Sequence, residues 1–345
     1  MIAYIFLIIT IIINIKLLSG SFDKKEIIEI QEIEDNEEEE EKISYIPSFD
    51  LDWNDFIGGG YAKKVLNRKT RLFLEKNIMP EHFILSAKGG MGKTMLVKIF
   101  VSKMGINFIE VPADQLKEDK DFFELMEKIN DKTILFFEEC QCLDKKILAN
   151  HIYRLMEDNT YLRYNQIIEL PEICIIGATT DIEKFEPSFS SRFKAKIEID
   201  DYTHEEMGKI IESRAIIEMK KSEQIKIGIE IAKRSFGIPR IAIGHLKSIE
   251  EIAILEDECL SIDLVNSYFE EIGLDENGLN KKHLGVIEFF KRNENKPMSI
   301  KRLSIAMGFN RQKVFESEIE LPMSSLGLID STSRGRCLTE IGLKY

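Results

Sequence analysis

Ala87-Lys88-Gly89-Gly90-Met91-Gly92-Lys93-Thr94 is the stretch on which the fold turns. Its glycines let backbone N–H groups crowd around an anion, and a Lys-Thr pair follows at once. Just upstream, residues 83–86 read Phe-Ile-Leu-Ser, a buried strand. Just downstream, apolar residues recur at three- and four-residue spacing over residues 94–104, which predicts an amphipathic helix. A glycine loop between strand and helix is the setting of a phosphate-binding loop, where the helix N-terminus adds positive potential. Gly89, Gly90, Met91 and Gly92 would wrap the phosphates of ATP, Lys93 would meet the β- and γ-phosphates, and Thr94 would hold Mg2+. The strict pattern has glycine where Ala87 stands.

Outward from the loop, short apolar runs at residues 108–111, 134–137, 173–177 and 195–199 alternate with helical stretches such as 145–156. That alternation predicts an α/β fold with a parallel sheet. The run Ile134-Leu135-Phe136-Phe137-Glu138-Glu139 ends a buried strand in two carboxylates. Alternation along the strand points them apart, so Glu138 would face the Mg2+ shell while Glu139 orients and deprotonates a water. Another strand ends in Thr179-Thr180, whose hydroxyls would touch the γ-phosphate or that water. From Thr203 onward helix-period patterns take over, clearest at Ile238, Ile241, Ala242, Leu246, Ile249 and Ile252, and predict a small helical lid domain. Beyond Gly273, two further helices and a turn-rich end at residues 331–336 suit a winged helix. The expected division is residues 1–20, an apolar N-terminal segment; 21–48, an acidic linker; 49–201, the ATPase domain; 202–273, the lid; and 274–345, the winged helix.

A chain of 345 residues, 44% hydrophobic, can build two or three cores, which excludes wholesale disorder. Its net charge of −13 is unevenly spread. Residues 21–43 hold eleven Asp/Glu against three Lys, whereas residues 280–345 hold twelve Lys/Arg against seven Asp/Glu. The basic end points to a phosphate backbone. Arg334 and Arg336 flank Gly335 in a tight turn there, and two cationic forks at such a tip suit contact with DNA phosphates or the minor groove. Lys301, Arg302, Arg311 and Lys313 would add electrostatic grip. Five cysteines stand singly apart from one Cys-x-Cys, without a second metal-type pair, as expected of reduced thiols in a cytoplasmic protein. Residues 2–13 are almost unbroken hydrocarbon, yet lack the basic start and small-residue cleavage pattern of a signal peptide. They read equally as a short membrane anchor or as residues added by an upstream start.

The order of several segments resembles the RuvB family of AAA+ ATPases. Residues 176–180, Ser191-Arg192-Phe193 and Gly237-Ile238-Pro239-Arg240-Ile241-Ala242 are similar to its sensor 1, arginine-finger and sensor 2 segments. Asp55-Phe56-Ile57-Gly58 resembles the stretch that lines the adenine pocket, and Met156-Glu157-Asp158, Leu170-Pro171, Gly278-Leu279 and Ser333-Arg334-Gly335-Arg336 match as well. The resemblance covers roughly residues 47–345. It implies ATP and Mg2+ as ligands, a homo-oligomeric ring, taken as a hexamer, with Arg192 acting on the neighbour's nucleotide and Arg240 acting in cis. It also implies work on DNA, as a four-way junction or a duplex, and a junction-binding partner of the RuvA type. Three features depart from the family pattern: Glu138 stands where Asp is usual, Cys140-Gln141-Cys142 replaces an Ile-His-Arg type sequence, and residues 159–169 leave a shorter span for the partner-docking hairpin. The expected function is therefore an ATP-driven motor on branched DNA, set against a non-translocating, DNA-binding or membrane-tethered regulator, with a clamp-loader-like remodeller as a third reading.

Overall fold

The computed structural model describes residues 51–345, so the anchor and linker expected over residues 1–48 lie outside the described residues. After α1 (Gly60–Lys76) come β1 (Phe83–Ser86), α2 (Lys93–Met104), β2 (Asn107–Pro112), α3 (Asp119–Met126) and β3 (Thr133–Glu138). Next is α4, a continuous helix over residues 145–158 whose middle, Leu148–Ile152, is a π-turn. A hairpin of β4 (Thr160–Arg163) and β5 (Gln166–Glu169) precedes β6 (Ile173–Thr179), α5 (Pro187–Ser190) and β7 (Ala195–Glu198).

Five of these strands form one parallel sheet in the order β2-β3-β6-β1-β7. Both faces are covered, which is why the strands read as continuous apolar runs rather than as alternating ones. Phe83, Leu85, Ile134, Phe136 and Ile176 turn to the face shared with α1 and α2. Ile84, Leu135, Phe137 and Ile175 turn to the opposite face, with Phe122 of α3, Ile152 of α4 and Phe189 of α5. Because β1 sits between β6 and β7 while the chain runs on to β2 across two strands, the loops after β1, β3 and β6 gather at one end of the sheet. In open parallel sheets that end is where ligands bind.

The lid follows as α6 (His204–Arg214), α7 (Gln224–Lys233), α8 (Pro239–Glu256) and α9 (Ile262–Glu271). Thr203 and Glu206 close a reciprocal capping box that starts α6, the two side chains satisfying orphan N–H groups at the helix start. Met207, Ile211, Leu246, Ile249 and Phe269 continue the first core, so the lid shares apolar packing with one face of the sheet. Gly208 of α6 and Gly228 of α7 meet directly: a Cβ on Gly228 would lie 2.8 Å from the Gly208 Cα.

The C-terminal part comprises α10 (Lys281–Arg292), α11 (Ile300–Ala306), α12 over residues 312–325, the antiparallel pair β8 (Ile329–Thr332) and β9 (Gly335–Leu338), and α13 (Glu340–Lys344). Three helices and a hairpin are the arrangement of a winged helix. Its core, around Phe290, Leu303, Phe315 and Met323, is separate from the other two. Arg234 ties it to the lid, donating through Nε to the Asp275 carbonyl at 3.1 Å and pairing with Glu230 at 2.7 Å.

Candidate functional site

The loop between β1 and α2 adopts backbone that only glycine takes without strain at two positions, Gly90 (φ 81°) and Gly92 (φ 89°). Crowding adds to the requirement. A Cβ at Gly90 would lie 2.7 Å from the Arg240 Cβ, and one at Gly92 would lie 2.9 Å from the Phe56 ring. The loop is therefore clamped between the start of α8 on one side and the segment before α1 on the other. Lys93 is buried, its ammonium donating to the carbonyls of Ala87 (2.8 Å) and Lys88 (3.2 Å). Burial pushes its pKa below the ordinary lysine value, with Glu139 opposing that shift and Arg240 adding to it.

At the end of β3 the Glu138 carboxylate accepts a 2.6 Å hydrogen bond from the Thr94 hydroxyl. A hydroxyl and a carboxylate oxygen side by side at the mouth of a phosphate loop are the hard donors that Mg2+ takes from a protein, the rest coming from phosphate and water. The residues present thus fit the ion. Glu139 does not continue the strand, as simple alternation predicts. It turns into the left-handed region (φ 47°), and this swings its carboxylate toward the end of β6. There Oε2 accepts from the Gln141 amide at 2.5 Å and from the Thr180 hydroxyl at 3.2 Å. Thr179 is not brought into this group: it is fully buried, and its Oγ1 accepts from the Asp181 N–H, fixing the turn after β6.

A cavity of 660 Å³ joins these parts. Its lining takes in Gly89 to Thr94, Glu138 and Glu139 together with Phe56, Ile57, Ile210 and Arg214. Arg240 lies over the loop, and Ile243, Gly244 and Lys247 extend its stripe along α8 at helical spacing. Gly58 (φ 76°) stands behind Ile57, where a Cβ would strike the ring of Tyr202, whose hydroxyl donates to the Met91 carbonyl at 2.9 Å. Among the lining residues that escape the sequence reading are Tyr202, Arg214 and Lys247. The helical period counted on from Arg240 reaches Lys247, whereas Tyr202 and Arg214 carry no local signal.

Arg192 does not line this cavity. Its guanidinium donates to the Ser188 carbonyl and to Glu157, both at 2.6 Å, and lies 4.1 Å from the centre of the Tyr153 ring. At the other end of the chain, Arg334 is exposed at the turn between β8 and β9, but Arg336 is not a second fork at that tip. It belongs to β9, where its backbone pairs with Met298 and its Nε donates to Glu320 at 2.5 Å. The alternation of the strand turns Arg336 back toward α12, so only Arg334 presents a free guanidinium at the turn. Among the described residues no group of three or more His, Cys, Asp or Glu could hold a metal, and the cysteines are free thiols.

Residues 83–201 match the model of the ATPase family associated with various cellular activities, and residues 276–345 match that of the RuvB C-terminal winged helix domain. The Holliday junction branch migration complex subunit RuvB of Campylobacter hominis is 27% identical over 336 residues, spanning 92% of this chain and 96% of its own. The protein of the same name from Nitratiruptor is 27% identical, with 87% and 93% covered. Among solved structures, the RuvB Holliday junction branch migration motor of Thermotoga maritima superposes with a TM-score of 0.73 at 25% identity, covering 87% of this chain and 97% of that one.

Proposed function

The chain belongs to the RuvB family, and from that premise we propose that it is an ATP-driven DNA motor of the Holliday-junction branch-migration type. What supports the proposal most is the meeting of phosphate loop, carboxylate pair and Arg240 around one cavity, on a chain that also carries a winged helix.

In this reading the amides of residues 89–92 and the Lys93 ammonium bind the β- and γ-phosphates, and Ile57, with Gly58 behind it, flanks the base. Thr94 and Glu138 would hold Mg2+, which would supply neutralisation of charge on the phosphate oxygens. Glu139 takes a proton from a water as the water oxygen bonds to the γ-phosphorus; the bond to the bridging oxygen breaks, and ADP leaves with the electron pair. Thr180 helps orient Glu139, and Thr179 holds the turn that presents Thr180. Arg192, remote from its own cavity, serves the nucleotide of a neighbouring copy, which makes the working unit a ring, taken as a hexamer. Arg240, resting on the loop, couples nucleotide to lid. Arg334 grips a phosphate of the junction or duplex. The β4–β5 hairpin, with Leu162, Tyr164 and Ile167 exposed, is the surface for a RuvA-like junction-binding protein. A motor using ATP and DNA belongs in the cytoplasm; among the described residues no helix is long and apolar enough to cross a membrane.

The test is ATP hydrolysis by the full chain with and without a synthetic four-way junction. Junction DNA should stimulate turnover. Glu139→Gln should lower it by about 10²–10⁴-fold, and Arg192→Ala by about 10³–10⁵-fold. Binding of ATP and junction with no hydrolysis under any condition would instead make the protein a nucleotide-sensing DNA-binding regulator.

A further inference from the structure

Gln141 lies in the short 3-10 turn Cys140–Cys142 that closes β3, and its side chain runs back along the chain rather than out into solvent. Its Nε2 donates to Glu139 Oε2 at 2.5 Å and stands 3.4 Å from Thr180 Oγ1, which itself donates to the same Oε2. One carboxylate oxygen of Glu139 therefore takes two donors, and no described residue donates to the other. The contact is built by the backbone: because Glu139 is in the left-handed region, its carboxylate and the side chain two residues on converge.

The far end of the same amide is closed off from solvent and held in place by the fold. Gln141 Oε1 is buried and has no hydrogen-bond donor. Buried carbonyl oxygens in folded proteins find a donor in protein or in water. Its two neighbours Cys140 and Cys142 do not supply one. The Cys140 side chain is packed against Gly177, and Cys142 is exposed.

We propose that Gln141 is a positioning residue for ATP hydrolysis. Its Nε2, with the Thr180 hydroxyl, holds Glu139 Oε2 and so turns Oε1 toward the cavity, where it takes a proton from the attacking water. The proposal rests on the reading of Glu139 as the base.

Four variants of the full chain test it: Gln141→Leu, Gln141→His, Glu139→Gln and the double variant Glu139→Gln with Gln141→Leu. Each is followed by single-turnover and steady-state hydrolysis of Mg–ATP and by affinity for a fluorescent ATP analogue. Leucine has a similar volume and neither donor nor acceptor. It should lower kcat about tenfold, the loss expected for a hydrogen bond to a charged group, with KM and nucleotide affinity unchanged. Histidine keeps an N–H and a ring acceptor and should restore kcat to within about threefold of the parent. In the Glu139→Gln background the leucine substitution should add no further loss, because the two side chains act as one unit. Should Gln141→Leu not fold, Gln141→Met replaces it in the same comparisons. Parental kcat in the leucine variant, a loss shared equally by kcat and nucleotide affinity, or losses that simply add would overturn the proposal while leaving Glu139 in its role. Parental turnover in Glu139→Gln would overturn both.

Discussion

Gly90 and Arg240 come from segments 150 positions apart in the chain and meet with no room for a methyl group between them. Gly90→Val adds a side chain where φ is 81° and drives it into the Arg240 stem, combining backbone strain with a collision. Affinity for a fluorescent ATP analogue should fall about tenfold or more, and the melting temperature should fall as well because the strain costs about 1–3 kcal/mol; parental affinity would show that the loop does not need this conformation. A different single residue sets an acid limit on stability. The His82 Nε2 lies 3.0 Å from the Met156 carbonyl, and Nδ1 accepts from the Ile175 N–H at 3.0 Å, an arrangement that suits the neutral ring. Burial holds its pKa below the ordinary value, opposed by the Met156 carbonyl and Glu81, with Lys194 adding to the fall. A folded-state pKa below the unfolded one gives stability that is whole above about pH 6.5 and is lost as pH falls toward the folded value. Burial also lowers His245 and His283, so they act in the same direction. The urea midpoint should therefore drop between pH 7.5 and pH 5.5. The drop should shrink in His82→Gln, whose amide can satisfy both partners; an unchanged drop would assign the acid sensitivity to the other histidines.

Helices and strands differ in how much of them the sequence made legible, and the reasons are physical. The sheet strands read clearly because residues such as Ile134, Leu135, Phe136 and Phe137 are buried on both faces, which leaves a continuous apolar run. The β4–β5 hairpin did not, because its two-residue turn is Tyr164-Asn165, both with positive φ, where the usual signal would be a glycine. The phosphate loop and the carboxylate pair were legible as motifs. The direction of Glu139 was not, since it depends on a backbone reversal that strand alternation cannot anticipate, and Gln141 enters the site only through that reversal. The π-turn in α4 left no trace in the apolar spacing either. Packing between α6 and α7 is similarly silent in sequence, yet it can be tested directly. Gly228→Val would force apart helices whose backbones touch at Gly208, and should destabilise the fold by about 1–3 kcal/mol in urea unfolding. A smaller effect would mean that the lid can shift to accommodate the added volume.

Taken whole, the described chain sets a nucleotide cavity and a winged helix on separate cores, with the lid between them and Arg234 strapping the lid to the C-terminal part. DNA should report on the far end of that arrangement. Arg334 is free at its turn, so Arg334→Ala should weaken junction binding across all sequences and reduce the slope of log affinity against log salt by about one. Arg336→Ala should leave the slope nearly unchanged and lower stability instead, because it strands the part-buried Glu320 carboxylate. Anisotropy titrations between about 50 and 200 mM salt separate the two; equal slope changes would place both arginines on the DNA. The clamp of Arg240 on Gly90 also has a mechanical consequence. It lies in the first turn of α8, an 18-residue helix, so the rest of that helix is a lever arm about 24 Å long with its fulcrum on the phosphate loop. Each degree of tilt at the fulcrum carries the Glu256 end through about 0.4 Å, and the loss of one phosphate beside Gly90 can become a stroke.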